Sequence, residues 1–295
     1  MRRLSYRYQR TIARSVAVPG VGFLTGANVR LCFRPAPPDT GIVFVRTDLK
    51  NHPQIAARAH YVTSTHRRTT LGHPPAQVSL VEHVLAALAG LRIDNCYVEL
   101  DAPEPPGLDG SAGQFVQALR QAGCVLQAAR RAVWTVSAPV VVTQPGASLA
   151  LHPAEDDSLR ISYILDYGLG SPIGWQIRTE LITPELFAQN LARARTFLLD
   201  REAVELRQQG LGARTTPADL VIFGPRGPIA NRLRFADEPA RHKILDIVGD
   251  LSLFGHDLRG HVVAYRSGHP LNVELARTLV RQLPAPAGCR RRQAA

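Results

Sequence analysis

The 295-residue sequence is poor in cysteine and contains no long apolar segment. Its four cysteines are scattered without a CxxC pair, so the sequence predicts reduced, mostly buried thiols and gives no sign of a thiolate zinc site. A membrane-spanning helix is excluded because no run of about 18 apolar residues occurs. The opening MRRLSYRYQRTIARSV lacks the apolar region of a secretory signal. We therefore expect a cytoplasmic protein.

Lysine is almost absent, and acidic residues are missing from both ends of the chain. Lys50 and Lys243 are the only lysines among 35 basic residues. Residues 1–38 contain seven arginines and no acid, the residues after Glu274 contain five arginines and no acid, and residues 39–274 carry a net charge of −1. No basic stripe alternates with aromatic residues, so no nucleic-acid partner is predicted. The basic ends would suit an acidic membrane surface or an anionic substrate.

Strand and helix patterns occur in both halves of the chain and predict an α+β protein. The predicted strands are 29–34, 41–46, 95–101, several between about 132 and 167, 219–223, 231–235 and 261–266. The predicted helices are 79–91, 112–123, two that start near Thr183 and Asp200, 241–256 and about 271–283. A boundary near 128–131 predicts domains 1–129 and 130–285, followed by a basic tail at 286–295 that is expected to be disordered.

The segment RHKILDIVGDLSLFGH, residues 241–256, combines the apolar spacing of an amphipathic helix with a polar stripe. His242, Asp246 and Asp250 recur every fourth residue and so share one face. The first two are one turn apart and could bind one ion, but a catalytic zinc needs a third protein ligand. His83, in the apolar run 79–91, is the best candidate, although a lone histidine in such a helix is more often a hydrogen-bonded core residue.

Three more residues have both a structural and a chemical interpretation. Glu82 fits a capping box with Ser79, or it could take a proton from metal-bound water. Thr196, in RARTF, could simply bond to backbone, and His269, in a Ser-Gly-His turn, could be an inert loop histidine. Taken singly, each of these residues favours the structural interpretation.

Taken together, the motifs resemble those of a known family. SLVEHVLAALAGLRIDNCYVELDAPEPPGLDGSAGQFV, RARTF, RHKILDIVGDLSLFGH and YRSGHPLN occur in the same order, and at compatible separations, as in the UDP-3-O-acyl-N-acetylglucosamine deacetylase (LpxC) family. GVGFLTG and RPAPPDTGIVFVRTDL add to the resemblance, which runs from about residue 7 to 283. The joint presence of VEH, DGSA, RTF, RHKxLDxxGD and SGH is specific, because no single structural rule predicts all five.

This resemblance implies a zinc-dependent hydrolase that removes the N-acetyl group of UDP-3-O-acyl-N-acetylglucosamine as acetate in lipid A biosynthesis. It implies one zinc ion per chain, with His83, His242 and Asp246 as ligands. Glu82 is then expected to be the general base that deprotonates the attacking water. The Thr196 hydroxyl, together with the zinc, would stabilise the oxyanion.

The remaining site residues also follow from the resemblance. His269 is expected to be the charged general acid that protonates the leaving amine, with Asp250 holding it and raising its pKa. Lys243 would lie near substrate oxygens, consistent with a need for a compact ammonium in this arginine-biased sequence. Phe197 would pack against the sugar, while Glu202 and Arg266 would lie near the sugar and the nucleotide diphosphate.

The resemblance also implies the architecture and the partners. Two domains of similar plan are expected, each a β-sheet packed on two helices, with the helices sandwiched between the sheets and the active site at the domain interface. Residues 168–182, including Ile173, Trp175 and Ile177, fall where the family builds an apolar passage for the acyl chain. The expected partner is a UDP-sugar-lipid substrate, with a peripheral contact at the inner membrane surface, and the chain is expected to be a monomer.

Several positions depart from the family pattern in the substrate-recognition shell. Leu24 replaces a histidine, Leu198 replaces a glycine, Arg214-Thr215 replaces a glycine pair, and Val273 replaces an asparagine. Two alternatives therefore stay open. One is a divergent zinc amidohydrolase acting on another N-acetylated amino sugar, and the other is a non-enzymatic basic binding protein on the same scaffold.

Overall fold

The structure is a computed structural model that describes residues 1–284, so the predicted tail at 286–295 lies outside the described residues. The strands are β1 Arg2–Ile12, β2 Val16–Val21, β3 Asn28–Pro35, β4 Ile42–Arg46, β5 Gln54–Ala56, β6 Val62–Ser64, β7 Thr70–Leu71, β8 Cys96–Leu100, β9 Cys124–Thr135, β10 Val140–Gln144, β11 Ala147–His152, β12 Leu159–Leu165, β13 Gln176–Leu181, β14 Phe197–Leu199, β15 Val221–Gly224, β16 Gly227–Pro228, β17 Asp257–Leu258 and β18 Gly260–Tyr265. The helices are α1 Glu82–Gly90, α2 Gly113–Ala122, α3 Pro184–Leu186, α4 Asp200–Gln208, α5 Glu238–Ser252 and α6 His269–Arg281, with a 3₁₀ turn at Ala59–Tyr61 and a π-helical turn at Phe187–Leu191.

Two five-stranded sheets have the same strand arrangement. The first has the order β2-β3-β8-β4-β5 and the second the order β10-β11-β18-β12-β13. In each sheet the last strand in sequence lies at the centre, antiparallel to one neighbour and parallel to the other. The predicted α+β fold with two units of similar plan is therefore confirmed.

The main helices pack between these two sheets. Helix α1 packs on α5, α2 packs on α1 and β2, and α5 and α6 pack on the strands of the second sheet. Leu85 and Leu88 of α1 and Leu245 and Ile247 of α5 are at most 1% exposed, because the apolar faces of both helices are fully used in this layer. The predicted sandwich of helices between sheets is thus confirmed.

One glycine sets how closely the two central helices approach. A Cβ placed on Gly249 of α5 would lie 2.2 Å from the carbonyl oxygen of Glu82, at the start of α1. Such a distance is far inside van der Waals contact, so only glycine allows this crossing. The crossing brings the polar stripe of α5 to the first turn of α1.

A third, three-stranded sheet consists of β1, β9 and β17. Its long central strand β9 continues through the predicted boundary at 129/130, with a register shift against β1 between Gln127 and Arg130, and the division into domains 1–129 and 130–285 remains a prediction. Arg7 Nη2 donates to Asp257 Oδ1 at 2.9 Å and Arg7 Nη1 donates to Asp94 Oδ2 at 2.7 Å, while Arg131 Nε donates to Asp257 Oδ1 at 2.7 Å. These ion pairs join the N-terminal strand to the second half of the chain.

Two features differ from the sequence-based prediction. Residues 231–235 form a loop instead of a strand, because Asn231 Oδ1 accepts a hydrogen bond at 2.9 Å from the buried Arg195 and Arg234 N donates to Glu238. The N-terminal strand β1 was not predicted, although Leu4, Tyr6 and Tyr8 alternate with polar residues along it. Within residues 1–284, no helix combines the length and the apolar character needed to cross a membrane.

Candidate metal centre and catalytic site

Three metal-ligand side chains meet where α1 crosses α5. His83 is in the first turn of α1, and His242 and Asp246 are one turn apart on α5. One ligand atom from each residue lies within 4.8 Å of the other two, and all three residues are less than 9% exposed. His242 Nε2 is 3.4 Å and His83 Nε2 is 3.8 Å from Asp246 Oδ1. The structure therefore brings together the three residues that the sequence suggested as ligands.

The donor set fits one metal ion. Asp246 Oδ1 is buried without a hydrogen-bond partner in the described residues, which ordinarily costs about 1–3 kcal/mol. His242 Nδ1 donates to the carbonyl oxygen of Ala194 at 3.1 Å, so its Nε2 lone pair is free to face the centre. Two donors at zinc bonding distance in a tetrahedral arrangement would be about 3.3 Å apart, close to the observed ligand spacings. Two imidazoles and one carboxylate leave a fourth position open, as in catalytic zinc sites.

The protonation states of these residues also suit metal binding. Burial and the neighbouring His242 lower the pKa of His83 to about 3, so its imidazole is neutral at pH 7. Burial lowers the pKa of His242 as well. For Asp246, burial would raise the pKa, but His242 and Lys243 outweigh it and lower the pKa, so the carboxylate stays ionised. Lys243 Nζ donates to Asp246 Oδ2 at 2.9 Å, which leaves Oδ1 for the ion.

Glu82 is poised to exchange a proton near neutral pH. Its carboxylate is 2% exposed, and burial raises its pKa to about 7 despite the opposing charge of His269. Glu82 Oε2 accepts a hydrogen bond from Thr69 N at 3.0 Å. The capping-box interpretation is wrong, because α1 begins at Glu82 itself and Ser79 Oγ is hydrogen-bonded to Thr70 Oγ1 at 3.0 Å.

His269 lies across the cavity from the ligands and is held as a cation. Its Nδ1 donates to Asp250 Oδ2 at 2.8 Å, and its Nε2 lies 3.9 Å from Glu82 Oε1. Burial would lower the pKa of His269, but Asp250 overcomes it by charge and hydrogen bonding and raises the pKa to about 9. Asp250 is fully buried and also accepts hydrogen bonds from Asn272 Nδ2 at 2.9 Å and from Thr69 Oγ1 at 2.6 Å. His269 is therefore positively charged at neutral pH.

Thr196 lies beside the ligand nitrogens. Its Oγ1 is 3.3 Å from His242 Nε2 and 3.5 Å from His83 Nε2, and it donates to the carbonyl oxygen of Gly110 at 3.1 Å. Gly110, in the DGSA motif, has a φ of 75°, and a Cβ there would lie 2.5 Å from the carbonyl oxygen of Asp219. The loop can therefore approach Thr196 only with glycine at this position.

A cavity of about 470 Å³ opens in front of these groups. Of the residues predicted for the site, Glu82, His83, Thr196, Phe197, Glu202, His242, Lys243, Asp246 and His269 line it. Asp250 lies behind His269, and Arg266 is outside the lining, where its Nε donates to the carbonyl oxygen of Asp166 at 2.6 Å. Glu202 Oε2 accepts a hydrogen bond from Leu199 N at 2.9 Å, so it caps α4 while facing the cavity.

A smaller, mostly apolar cavity of about 130 Å³ adjoins the first and shares Phe23, Arg67, Leu80, Thr196 and Leu198 with it. The rest is lined by the apolar side chains of Leu24, Ala203, Leu206, Leu211, Leu220 and Ile222, and by Arg68, Arg207, Gly212 and Thr215. Three of the positions that depart from the family pattern therefore meet in one place.

The apolar passage expected at 168–182 stays a prediction. Ile173 is 1% exposed, whereas Trp175 and Ile177 are 63% and 52% exposed. None of the three lines either of these two cavities.

Sequence reasoning missed three residues of the site. Asn272 could have been found, because it follows His269 by three positions at the start of α6 and so shares its face. Thr69 gave no signal, since it lies outside every motif and contacts Asp250 only through the fold. Tyr167, which packs against Phe197 with ring centroids 5.9 Å apart, was likewise not predicted.

A buried three-ligand metal centre flanked by a carboxylate with a near-neutral pKa and a charged histidine defines a metal-dependent hydrolase. The family model described as "LpxC: UDP-3-O-acyl N-acetylglycosamine deacetylase" matches residues 9–281. This chain therefore belongs to the LpxC family.

Curated relatives agree with this assignment. The chain is 43% identical over 282 residues to the UDP-3-O-acyl-N-acetylglucosamine deacetylase of Myxococcus xanthus strain DK1622, covering 95% of this chain and 88% of the relative. The proteins of the same name from Nostoc sp. strain PCC 7120 and Chlamydia abortus strain S26/3 are each 40% identical, over 92% and 94% of this chain and 98% of each relative.

Proposed function

We propose that this chain hydrolyses the N-acetyl amide of UDP-3-O-acyl-N-acetylglucosamine and releases acetate, a step of lipid A biosynthesis. The observation that carries the proposal is the buried Asp246 Oδ1, which lacks a hydrogen-bond partner in the described residues and faces His83 Nε2 and His242 Nε2. These three residues would hold one zinc ion. When bound, zinc in such a site polarises a carbonyl and lowers the pKa of water to about 7.

The side chains around the ligands divide the proton transfers between them. Glu82 would accept a proton from the attacking water, since its pKa near 7 leaves a large fraction ionised at neutral pH. The Thr196 hydroxyl would rotate its proton from the carbonyl oxygen of Gly110 to the substrate carbonyl oxygen as negative charge develops there. His269 would give its proton to the nitrogen as the C–N bond breaks, so that the product leaves as an amine. Asp250 acts through His269 by keeping it protonated and oriented.

The walls of the cavity would bind the rest of the substrate. Phe197, with Tyr167 packed against it, offers an aromatic surface for the sugar ring. Lys243 and Glu202 supply a cation and an acceptor at the same cavity. Arg266 is outside the lining but is 38% exposed at its side chain, so it would contact the diphosphate at the rim. The apolar cavity beside Leu198 is the natural place for the acyl chain.

We assign the catalytic contributions to two units, residues 1–129 and 130–285. The first would supply Glu82 and His83 and the second the other ligands and the acid.

We further propose a cytoplasmic monomer that touches the inner membrane surface peripherally. The exposed Tyr6 and Tyr8 of β1, with Arg3 and Arg130 stacked on them, support that contact. Light scattering tests whether the chain is a monomer, and sedimentation with anionic vesicles tests the membrane contact.

Metal analysis combined with an acetate-release assay tests the main proposal. The purified chain should contain about one zinc per protein and release acetate from UDP-3-O-acyl-N-acetylglucosamine. A zinc-free protein that remains fully active would refute the metal assignment, and a zinc protein inert on this substrate would refute the substrate assignment.

A divergent substrate is the second candidate, because Leu24, Leu198 and Thr215 all line the apolar cavity. Comparing turnover of UDP-3-O-acyl-N-acetylglucosamine with other N-acetylated amino sugars separates the two. A clear preference for the former removes this candidate.

The non-enzymatic alternative has no support beyond the basic ends, and acetate release by the purified chain would remove it.

A further inference from the structure

A second polar cavity, of about 110 Å³, lies at the C-terminal ends of α1 and α5. These are the same two helices that carry the metal ligands near their other ends. Ala89 of α1 and Leu251 of α5 line the cavity. Ala89 is six residues beyond His83, which corresponds to about 9 Å along the helix axis. This cavity is therefore separate from the catalytic one, and no role in the proposed reaction accounts for it.

The lining of this cavity has an excess of positive charge. Its cations are Arg7, Arg58, Arg92, Arg131 and Arg259, whereas its acids are only Asp94 and Asp257. The excess is therefore three charges. Asp157, just outside the lining, pairs with Arg259 at 3.0 Å, and the two helix C-termini contribute at most about half a negative charge each, so roughly one positive charge remains uncompensated.

Two of these arginines have no partner within residues 1–284. Arg7 and Arg131 are bonded to the aspartates, but the guanidinium groups of Arg58 and Arg92 make no hydrogen bond or ion pair there. Burial lowers the pKa of Arg58, and the positive charge of Arg131 lowers it further. Burial and the positive charge of Arg259 lower the pKa of Arg92 in the same way. Both side chains are only partly buried, so an anion could reach their guanidinium groups and form charge-assisted hydrogen bonds with them.

The backbone makes room for Arg58 on two sides. A Cβ at Gly255 would lie 1.5 Å from Arg58 Nη1, and a Cβ at Gly41 would lie 3.2 Å from Nη2. The guanidinium is thus held between two glycines, which fixes its position at the cavity. Burial, and then the positive charges of Arg131 and Arg58, lower the pKa of the lining residue His256 to about 4. His256 is therefore neutral and does not add to the charge excess at neutral pH.

We propose that this cavity binds a phosphate group, most favourably that of a small phosphate monoester. A phosphate group can accept hydrogen bonds from two arginines at once, and guanidinium groups bind phosphate through paired hydrogen bonds. The apolar side chains of Leu85, Ala89 and Leu251 on the wall would contact the organic part of the monoester.

Calorimetric titration of the zinc-loaded full chain with inorganic phosphate and with phenyl phosphate tests this proposal, at an ionic strength held constant with sodium chloride. Both probes should bind, phenyl phosphate more tightly. Arg58→Gln and Arg92→Gln should each weaken binding about tenfold or more, and the double variant should abolish it. Arg30→Gln is the matched control, because Arg30 is exposed and lines none of the described cavities, and it should bind as the wild type does.

Equal binding by the double variant and the wild type would overturn the proposal, as would no binding by the wild type. Binding that survives in the double variant but is lost in His242→Ala would place the phosphate at the metal centre and would also overturn it. If the double variant does not fold, Arg92→Gln alone decides, because its side chain is the less constrained of the two. Acetate release should be unchanged in Arg92→Gln without phosphate, which separates this site from the catalytic one.

Discussion

Replacing Asp250 by asparagine should move the alkaline limb of the activity profile to lower pH. Asp250 is fully buried and its carboxylate receives the Nδ1 proton of His269 at 2.8 Å. The pKa of His269 rises from 6.5 to about 9 although burial alone would lower it. A rise of this size corresponds to about 3 kcal/mol in favour of the charged imidazole. Without the negative charge of Asp250, burial should return the pKa of His269 towards its ordinary value of 6.5, against the smaller opposing effects of Glu82 and Asp246.

The sign of the pH effect follows from the role of His269 as an acid. With a pKa near 9, about 97% of the imidazole is protonated at pH 7.5, but with a pKa of 6.5 only about 9% is. The wild type should therefore lose kcat/KM as the pH rises through about 9, and Asp250→Asn should lose it above about 6.5. The stability that His269 gains from its partner is likewise present at low pH and lost as the pH rises through 9.

Acetate release measured from pH 5.5 to 10 checks this prediction. The acidic limb should stay near the pKa of Glu82, about 7, in the wild type. Glu185→Gln is a suitable control because this exposed carboxylate on α3 lines none of the described cavities and should leave both limbs in place. If Asp250→Asn keeps an alkaline limb near pH 9, the assignment of His269 as the acid held by Asp250 is refuted.

Three further substitutions test the metal site and its supports. His242→Ala removes one of three ligands, so metal analysis should find almost no zinc and no acetate release, while circular dichroism stays unchanged; retained zinc would contradict the ligand set. Thr69→Val removes the hydroxyl that donates to Asp250 at 2.6 Å. The free energy of unfolding should fall by about 1–3 kcal/mol and kcat should fall about tenfold or more, whereas an unchanged kcat would show that this bond is dispensable. Gly249→Ala places a Cβ 2.2 Å from a backbone oxygen of α1 and should destabilise the protein by about 1–3 kcal/mol in urea unfolding, whereas Gly174→Ala, with open space around it, should not; equal stability of the two variants would contradict the packing argument.

Local sequence was sufficient for the ligand-bearing helix. The spacing of its apolar residues predicts α5, and a period of 3.6 residues places His242 and Asp246 on one face whatever surrounds them. His83 needed more than spacing, because an apolar helix with one histidine is compatible with an ordinary core residue. The combination of motifs resolved that choice, and the structure places His83 beside the other two ligands.

Local patterns failed where long-range contacts compete with them. Ser79 and Glu82 have the spacing of a capping box, yet Glu82 instead accepts a bond from Thr69 N because α1 begins at Glu82 and turns its carboxylate into the cavity. Residues 231–235 have a strand-like pattern, but Asn231 bonds to the buried Arg195 and the backbone follows that contact.

The sequence by itself determined the helix faces, the alternation of strands and the pairing of His242 with Asp246, since these depend on residues a few positions apart. The tertiary structure alone decided the proton affinities and the cavities. Thr69 and Asp250 are 181 positions apart, and the charge of His269 depends on burying that pair. Arg58 and Arg92 become a candidate phosphate site only because the packing around the ends of α1 and α5 gives them no acceptor among residues 1–284. A pKa or an unpaired charge is a property of the surrounding dielectric and neighbours, which only the packed chain supplies.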